Sequence, residues 1–549
     1  MQDYSVLIGG RAGEGINIAG NVIARLLSAC GLCVHMYYDY PSLIKGGHNF
    51  AIIRGADTQP YCVREGVDLL LALNRETLER HRHRTDDRTT VIFDAGRVRG
   101  AAGNGIPVDE IVREEEAPPI TRNSAMIGAF CRACAIPWET VETVFRRAMP
   151  AQIDSNLRVA RRGYDTLPEG KGIRMNGAAP LPVISGNEAI AFGLAAAGLE
   201  GYIAYPMTPS SSILHTLAAH AEGFGIPVVH PENEIAVAMM ALGAAYAGRR
   251  MAVGTSGGGF CLMTEAFSLA GMAEIPLLVV LAQRPGPSTG VPTYSAQGDL
   301  LFALSAGQGE FPRPVAAPGT PEEAWDWAGC LLDAAWRFQT PAILLTDKNL
   351  AEGLYSFTPP ETNTGLEIIE WEGKGEYARY APGTDGISPL AFPGRQGISV
   401  KANSYTHDER GITTEDPASI TRMAEKLQKK RYAIQESLES RPCVKVGGRR
   451  DASDAILCWG STAGVCAEVA NDLGLRLVRP VLISPFPVSG FARCLEGVEH
   501  IIAVEENITG QLAHLIGCHG FSADTVIGKY DGRPFAPEDL ERRIGEVIG

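Results

Sequence analysis

Tyr205-Pro-Met-Thr-Pro-Ser-Ser-Ser212, Glu232-Asn-Glu234, Gly254-Thr-Ser-Gly-Gly-Gly259 and Gln283-Arg-Pro-Gly-Pro-Ser-Thr-Gly-Val-Pro-Thr293 fall within one stretch, Gly201 to Thr293. Each is a polar or glycine-rich loop that follows an apolar strand, the clearest strand being Leu277 to Ala282. Strands alternating with helical patterns read as an open, parallel α/β sheet. In such a sheet, ligands collect outside the carboxyl ends of the strands. The loops holding Thr208, Glu234, Gly257 and Arg284 are therefore candidates to line one site.

The 549 residues around this stretch lead one to expect three or four domains. The formal net charge of -14 argues against a nucleic-acid surface. The start, Met1-Gln-Asp-Tyr-Ser-Val-Leu, lacks a basic region followed by an apolar one. Runs such as Ile275 to Ala282 fall far short of the roughly 20 residues a membrane helix needs. A cytoplasmic protein without membrane association is expected. Of the 12 cysteines, Cys30/Cys33 and Cys131/Cys134 have Cys-x-x-Cys spacing, but no second pair lies near either. Buried thiols are the expected use, with redox or metal roles as the alternative. The closely spaced cysteines of a ferredoxin-type cluster are absent.

Toward the N-terminus, the strand Tyr4 to Ile8 runs into Gly9-Gly-Arg-Ala-Gly13-Glu-Gly15-Ile-Asn-Ile-Ala-Gly20 and a helix to about Ser28. Strand, glycine turn and helix suit an anion at the helix N-terminus. A nucleotide-like ligand, coenzyme A included, is one reading; a tight turn without ligand is the other. Ser42-Leu-Ile-Lys45-Gly-Gly-His48-Asn49 is a polar loop between apolar segments, and His81-Arg-His-Arg84 reads as a solvated helix end. Residues 165–181 read as a linker, and Ser185-Gly-Asn-Glu188 as a capping box opening the next helix. Beyond Ile343 to Asp347, residues 355–420 are rich in Pro and Gly without being low in complexity, so an ordered loop packed across a neighbour is expected. Ala418 to Glu439 is a charged helix. Residues 446–549 form a third α/β unit with strands at Ala455, Val481 to Ser484 and Ile501 to Val504.

Together these stretches resemble the 2-oxoacid:ferredoxin oxidoreductases, which are thiamine-diphosphate enzymes. Residues 1–175, with Gly9 to Gly20 and Ser42 to Asn49, resemble the gamma part of that family. Residues 181–355, with Tyr205 to Ser211 and Gln283 to Gly290, resemble the pyrimidine-side domain of its alpha part. Residues 356–445, an ordered loop and helix segment with His407-Asp-Glu and Thr414-Glu-Asp-Pro417, and a transketolase C-terminal-like domain over 446–549, with Glu506-Asn507 and Gly510-Gln511, resemble the rest of alpha. The resemblance implies an α/β class with several open α/β domains. It implies a fused gamma-alpha subunit active only with a beta subunit, assembled as a dimer of heterodimers.

The implied reaction is coenzyme A-dependent, reversible oxidative decarboxylation of a 2-oxoacid, 2-oxoglutarate being favoured, with electrons passed to ferredoxin. A pyruvate or branched-chain enzyme, or a non-catalytic scaffold relative, are the alternatives. The resemblance assigns Glu234 as the catalytic carboxylate hydrogen-bonded to the cofactor's pyrimidine N1′, with Glu232 as competitor; both suit a helix N-terminus in any case. It assigns Thr208, Arg284 and Thr293 to the substrate, Arg284 as a planar fork for its carboxylate. Pro206 and Gly257 fall to the cofactor. The family's Gly-Asp-Gly, which holds the diphosphate and its metal, is absent from this chain. Thiamine diphosphate is thus expected to be shared with the beta subunit, which would carry Mg²⁺ and a 4Fe-4S cluster. The shared face would involve the loops of Thr208, Glu234 and Arg284 and the segment 375–417.

Overall fold

The computed structural model describes residues 2–42, 47–170, 172–361, 365 and 367–548. The strands in chain order are β1 (Asp3–Arg11), β2 (Cys33–Asp39), β3 (His48–Ala56), β4 (Leu69–Ala72), β5 (Thr90–Asp94), β6 (Asn104–Ile106), β7 (Val183–Ser185), β8 (Gly201–Ile203), β9 (Val228–Val229) and β10 (Met251–Thr255). They continue with β11 (Leu277–Gln283), β12 (Val315–Ala316), β13 (Pro341–Asp347), β14 (Leu354–Ser356), β15 (Val444–Gly448), β16 (Asp454–Leu457), β17 (Arg476–Pro480), β18 (Leu482–Ser484), β19 (His500–Glu505) and β20 (Thr525–Gly528). The chain divides into two compact units, one of Met1–Ser185, Glu352–Thr358 and Phe535–Arg542, the other of Gly186–Ala351, Pro359–Pro534 and Arg543–Gly549.

The first unit is built on one mixed sheet in the order β6-β5-β4-β1-β3-β2-β14-β7. Val6, Leu7 and Ile8 of β1 are fully buried, antiparallel to β3 and parallel to β4. The strand runs three residues beyond Ile8, so Gly9 and Gly10 are strand residues and the turn is confined to 12–15, with Gly13 and Gly15 at φ 87° and 73°. The helix Ile16–Ala29 then buries Ile16, Ala19, Val22, Ile23, Leu26 and Leu27, the 3-4 spacing of a core-facing stripe. The short strands β7 and β14 complete the far edge of this sheet.

One local expectation in this unit meets the structure differently. His81 is buried, not solvated: its Nε2 lies 2.9 Å from Nε2 of His48 and its ring sits edge-on to Phe50. Burial, with His48 alongside, pushes the His81 imidazole down to about 3, so the pair is neutral and shares one proton. Only Arg82 and His83 of that run are exposed. Lys45 lies outside the described residues. Ser185 ends β7 and the helix begins at Gly186, which puts Ser185 at the N-cap position and Glu188 in the first turn, as the capping-box reading expects. Cys30, Cys131 and Cys134 are buried free thiols, Cys134 pushed up to about 12 by burial, and Cys33 is half-buried.

In the second unit, β9-β8-β10-β11-β13-β12 is a parallel run. All seven residues of β11 are buried, as expected for a parallel strand covered on both faces. Val481 to Ser484 does not join the third sheet: β18 closes the edge of this one, antiparallel to β12. The third sheet, β15-β17-β16-β19-β20, belongs to the same unit. After β8 the chain steps outward to β9, then returns to lay β10 on the other side of β8. This reversal puts a switch point between the loops that follow β8 and β10.

The proline-rich segment is held by a buried ionic cluster. The helix Pro417–Glu439 sends Lys426 Nζ to Glu274 Oε1 at 2.5 Å and Lys430 Nζ to Glu274 Oε2. Arg379 donates to Gln339 Oε1 at 2.6 Å and to the Glu274 carbonyl at 2.5 Å, and the Tyr380 hydroxyl donates to the Ala273 carbonyl at 3.2 Å. Burial would raise the Glu274 carboxyl, but Lys426, Lys430 and Arg379 outweigh it and hold it down at about 2. Burial pushes Lys430 down to about 7, with Glu274 opposing. Removing the single anion leaves buried cations unpaired, which costs about 3–5 kcal/mol. Glu274→Gln should therefore lower unfolding stability by that amount in a urea titration. A change below about 1 kcal/mol would mean that solvent reaches the cluster.

Candidate functional site

Glu234 opens the helix Glu234–Tyr246 and is 4% exposed. Asn233, at the N-cap, accepts from Ala236 N at 2.9 Å, which fixes the first turn and turns Glu234 inward. Glu232, two residues earlier, is exposed, so burial separates the two candidates. Oε1 of Glu234 is buried and has no hydrogen-bond partner. A buried acceptor left unmade costs about 1–3 kcal/mol.

The neighbouring backbone is shaped around that carboxylate. A Cβ on Gly259 would lie 2.1 Å from Thr255 Oγ1 and 2.8 Å from Glu234 Oε1, so the first turn of the helix Gly257–Met272 reaches this position only as glycine. At Gly257 a Cβ would lie 2.5 Å from Asp299 Oδ2. The loops after β9, β10 and β11 thus bring Glu234, Thr255, Gly257, Gly259 and Asp299 together.

Arg284 stands directly after β11, half-buried, and its Nη1 donates to the Thr208 carbonyl at 2.8 Å. Its Nε is buried and unpartnered. The loop that carries it is pinned at both ends by Gln283, whose Nε2 donates to the Thr346 carbonyl at 3.2 Å and whose Oε1 accepts from Asp299 N at 2.9 Å. Between these ends, Val291 N donates to the Pro285 carbonyl at 3.0 Å. Pro206 and Thr208 are half-buried in the loop after β8, and the Thr208–Pro209 peptide is cis. Thr293 is buried with Oγ1 unpartnered, so no hydrogen bond joins that hydroxyl to Arg284. Its neighbour Ser295 instead donates to Glu506 Oε2 at 2.9 Å.

Asp299 and His230 escape a reading of the sequence, and so does the contact that the Glu506-Asn507 motif makes. Asp299 faces Arg284 without an ion pair; burial pushes its carboxyl up, against the pull of Arg284, to about 6. Gln-Gly-Asp299 before an apolar helix is the available signal, and it reads as an ordinary N-cap. His230 packs edge-on to Tyr205, ring centroids 5.6 Å apart. Glu506 and Asn507, far along the chain, bind the Arg284 loop: Gln297 N donates to the Glu506 carbonyl, Glu506 N to Gln297 Oε1 and Asn507 Nδ2 to the Gln297 carbonyl, at 2.8, 2.9 and 3.1 Å. Burial, with Asp347 nearby, pushes the Glu506 carboxyl up to about 8, so it is protonated at neutral pH.

Residues 193–426 match the family described as "Pyruvate flavodoxin/ferredoxin oxidoreductase, thiamine diP-bdg", and residues 5–166 match "Pyruvate ferredoxin/flavodoxin oxidoreductase". A 2-oxoacid:ferredoxin oxidoreductase 2 subunit alpha of Aeropyrum pernix is 31% identical over 100% of this chain and 98% of its own length. The chain belongs to the 2-oxoacid:ferredoxin oxidoreductases. It is an alpha-type subunit of an oxidoreductase in which both matched parts lie on one chain. A subunit alpha from a Sulfolobus species is 30% identical over 99% of this chain and 97% of its own length. A solved structure, the 2-oxoglutarate:ferredoxin oxidoreductase of Magnetococcus marinus with 2-oxoglutarate, coenzyme A and succinyl-CoA bound, is similar over 100% of both chains, with TM-score 0.91 and 29% identity. In this oxidoreductase subunit the thiamine-diphosphate-binding match contains the switch point and all six candidate residues. The residues suit the cofactor: the unpartnered Glu234 Oε1 is a ready acceptor for a ring N–H, and Gly259 leaves the approach open.

Among the described residues, no helix is long and apolar enough to cross a membrane, and no group of three or more His, Cys, Asp or Glu is placed to hold a metal.

Asp299 gives a pH test of the pocket. Its folded value, about 6, lies above the ordinary 3.8, so the folded chain binds its proton more tightly than the unfolded one. Stability from this residue is therefore lost as pH rises from about 4 through 6. Melting temperatures of Asp299→Asn and the parent, compared from pH 4 to 7, should move in the variant's favour as pH rises. A constant difference would mean that Asp299 ionises like an exposed carboxyl.

Proposed function

We propose that this chain is the gamma-alpha subunit of a coenzyme A-dependent 2-oxoacid:ferredoxin oxidoreductase acting on 2-oxoglutarate, working in either direction with a beta subunit. The observation that carries the reading is Glu234: a buried carboxylate oxygen, unpartnered, beside a glycine that cannot bear a Cβ. Bound thiamine diphosphate supplies the carbanion chemistry. Glu234 holds the proton at pyrimidine N1′ and orients the ring. The backbone around Pro206 and Gly257 lets the ring approach. Arg284, with a free Nε and an Nη1 already fixed on the Thr208 carbonyl, presents its fork to the substrate carboxylate, and the Thr208 hydroxyl donates to the substrate. Asp299 disfavours a second anion near Arg284 unless it is protonated.

The preference for 2-oxoglutarate rests on the Magnetococcus structure's 2-oxoglutarate and on the cationic loop with buried Thr293. Coenzyme A is the acyl acceptor. Its nucleotide end would dock in the first unit, where the glycine turn at Gly13 borders a cavity of about 660 Å³ whose arginines, Arg97 and Arg122, are paired with Glu14, Asp94 and Asp109.

A second subunit completes the site. The chain has no Gly-Asp-Gly for a diphosphate and metal, and among the described residues no group of three or more His, Cys, Asp or Glu is placed to hold a metal ion. The helix bearing Glu234 also shows Ile235, Met239 and Met240 to solvent, each 46–53% exposed, and Leu262 of the next helix is 50% exposed. An apolar face of this kind beside half a site suits a subunit interface. The beta subunit would bring Mg²⁺ and the 4Fe-4S cluster, and the assembly would be a dimer of gamma-alpha/beta heterodimers passing electrons to ferredoxin.

In the enzyme assembled with its beta subunit, Glu234→Gln should lower kcat by about 10²–10⁴-fold without changing the unfolding transition, because an amide cannot exchange the proton. Normal turnover would remove Glu234 from the mechanism. Arg284→Ala should raise KM and lower kcat/KM together, since it removes an anchor used in binding and in the transition state. The parent's kcat/KM for 2-oxoglutarate, pyruvate and a branched 2-oxoacid tests the substrate, and a clear preference for pyruvate rejects the assignment.

A further inference from the structure

The chain carries a net charge of -14, yet one pocket of the third sheet is lined by Arg441, Arg450, Arg476 and Arg493, with Glu439 the only acid on its wall. The pocket lies beside β15 and β17 and the short helix Val488–Cys494, and holds about 380 Å³. Arg441 is already neutralised, its Nη2 at 2.6 Å from both Asp326 oxygens. Arg450 and Arg493 are exposed and have no carboxylate within ion-pair reach among the described residues. Glu439 is engaged by Gln435 Nε2 at 2.8 Å, and Asp451, the nearest acid on the adjoining turn, by Arg449 at 3.0 Å.

Arg476 is the decisive residue. It is 6% exposed on β17, and its Nη1 donates to the carbonyls of Cys494 and Glu496 at 3.1 and 2.8 Å. Those two bonds tie down the end of the helix and account for Nη1 as a structural group. They leave Nε buried without a partner, and the one carboxylate on the pocket wall, Glu439, meets only a neutral amide. A buried guanidinium N–H in that condition is unfavourable unless something accepts its hydrogen bond. The Cys494 thiol on the same wall is pushed up by burial, so it is neutral and does not oppose an anion.

We infer that this pocket binds a phosphate-bearing anion, held by the forks of Arg476, Arg450 and Arg493. Guanidinium groups match phosphate oxygens in pairs, and three of them on one pocket wall against the single carboxylate of Glu439 favour a multiply charged ligand over a simple carboxylate. The volume takes a phosphate together with a small organic group, which the apolar wall of Pro442, Val444 and Pro487 would contact. The site is separate from the Glu234 and Arg284 loops, and its occupancy does not depend on the proposed reaction.

The test is calorimetric titration of the full chain, at constant ionic strength, with inorganic phosphate in one arm and glycerol phosphate in the other. Saturable one-site binding is expected in at least one arm. Equal affinities identify free phosphate as the ligand, and tighter binding of glycerol phosphate identifies a phosphorylated small molecule. Arg450→Ala/Arg493→Ala should weaken binding at least about tenfold with an unchanged melting temperature, since both side chains are exposed. Arg476→Gln is the stronger variant but disturbs the helix end, so the exposed pair decides the matter. No saturable heat from either ligand at millimolar concentration, or equal binding by the double variant, overturns the inference.

Discussion

A carboxylate oxygen kept away from water and left without a donor is the most demanding feature of this structure. Glu234 Oε1 is in that state, and its surroundings prevent relief. Asn233 caps the helix and holds the first turn, so Glu234 cannot swing out toward solvent where Glu232 sits. Gly259 brings a second helix N-terminus close without offering a side-chain donor. The parallel sheet makes the arrangement possible, because β9 and β10, parallel on either side of β8, deliver their following segments to the same edge. Strain of this kind persists where the fold over-determines it, and a ligand that donates one hydrogen bond recovers the cost.

The cation of the site is held differently. Arg284 has one bond to the backbone, while Gln283 anchors its loop at both ends and Gln297 ties it to Glu506 and Asn507. The C-terminal sheet thus acts as a brace for a loop more than 200 positions earlier in the chain. That explains why Glu506 stays buried and protonated: its backbone and side chain are used for positioning, and ionisation would put a second charge near Asp347. The Glu274 cluster does similar work for the proline-rich segment, alongside the buried Tyr380, Ile387 and Leu390 of that segment.

Much of the site is legible in the sequence, and for a physical reason. Loop chemistry at the carboxyl ends of strands follows from local pattern, so Thr208, Glu234, Gly257 and Arg284 all stand out in the four loops. The glycines at 257 and 259 stand out as places of close approach, though not what approaches them. Asp299 and Gln297 do not stand out, because a polar residue before a helix looks like a cap whether or not its side chain faces an arginine. His81 reads wrongly as solvated because its neighbours in sequence are solvated, and its partner His48 arrives from another strand.

Hydrophobic period, glycine turns and loop composition are local properties of the chain. They specify the class of fold, the order of its parts and the residues with chemistry to offer. Which of those residues are buried, and what they then lack, follows only from how distant segments meet. Whether Glu232 or Glu234 faces inward depends on the register of one helix against its cap. Whether Val481 to Ser484 belongs with its neighbours in sequence or with β12 depends on which sheet edge is open. That Arg476 ends with a buried nitrogen and no acceptor depends on three segments meeting around it. Desolvation is a property of the surroundings, and the surroundings come from residues distant in the chain.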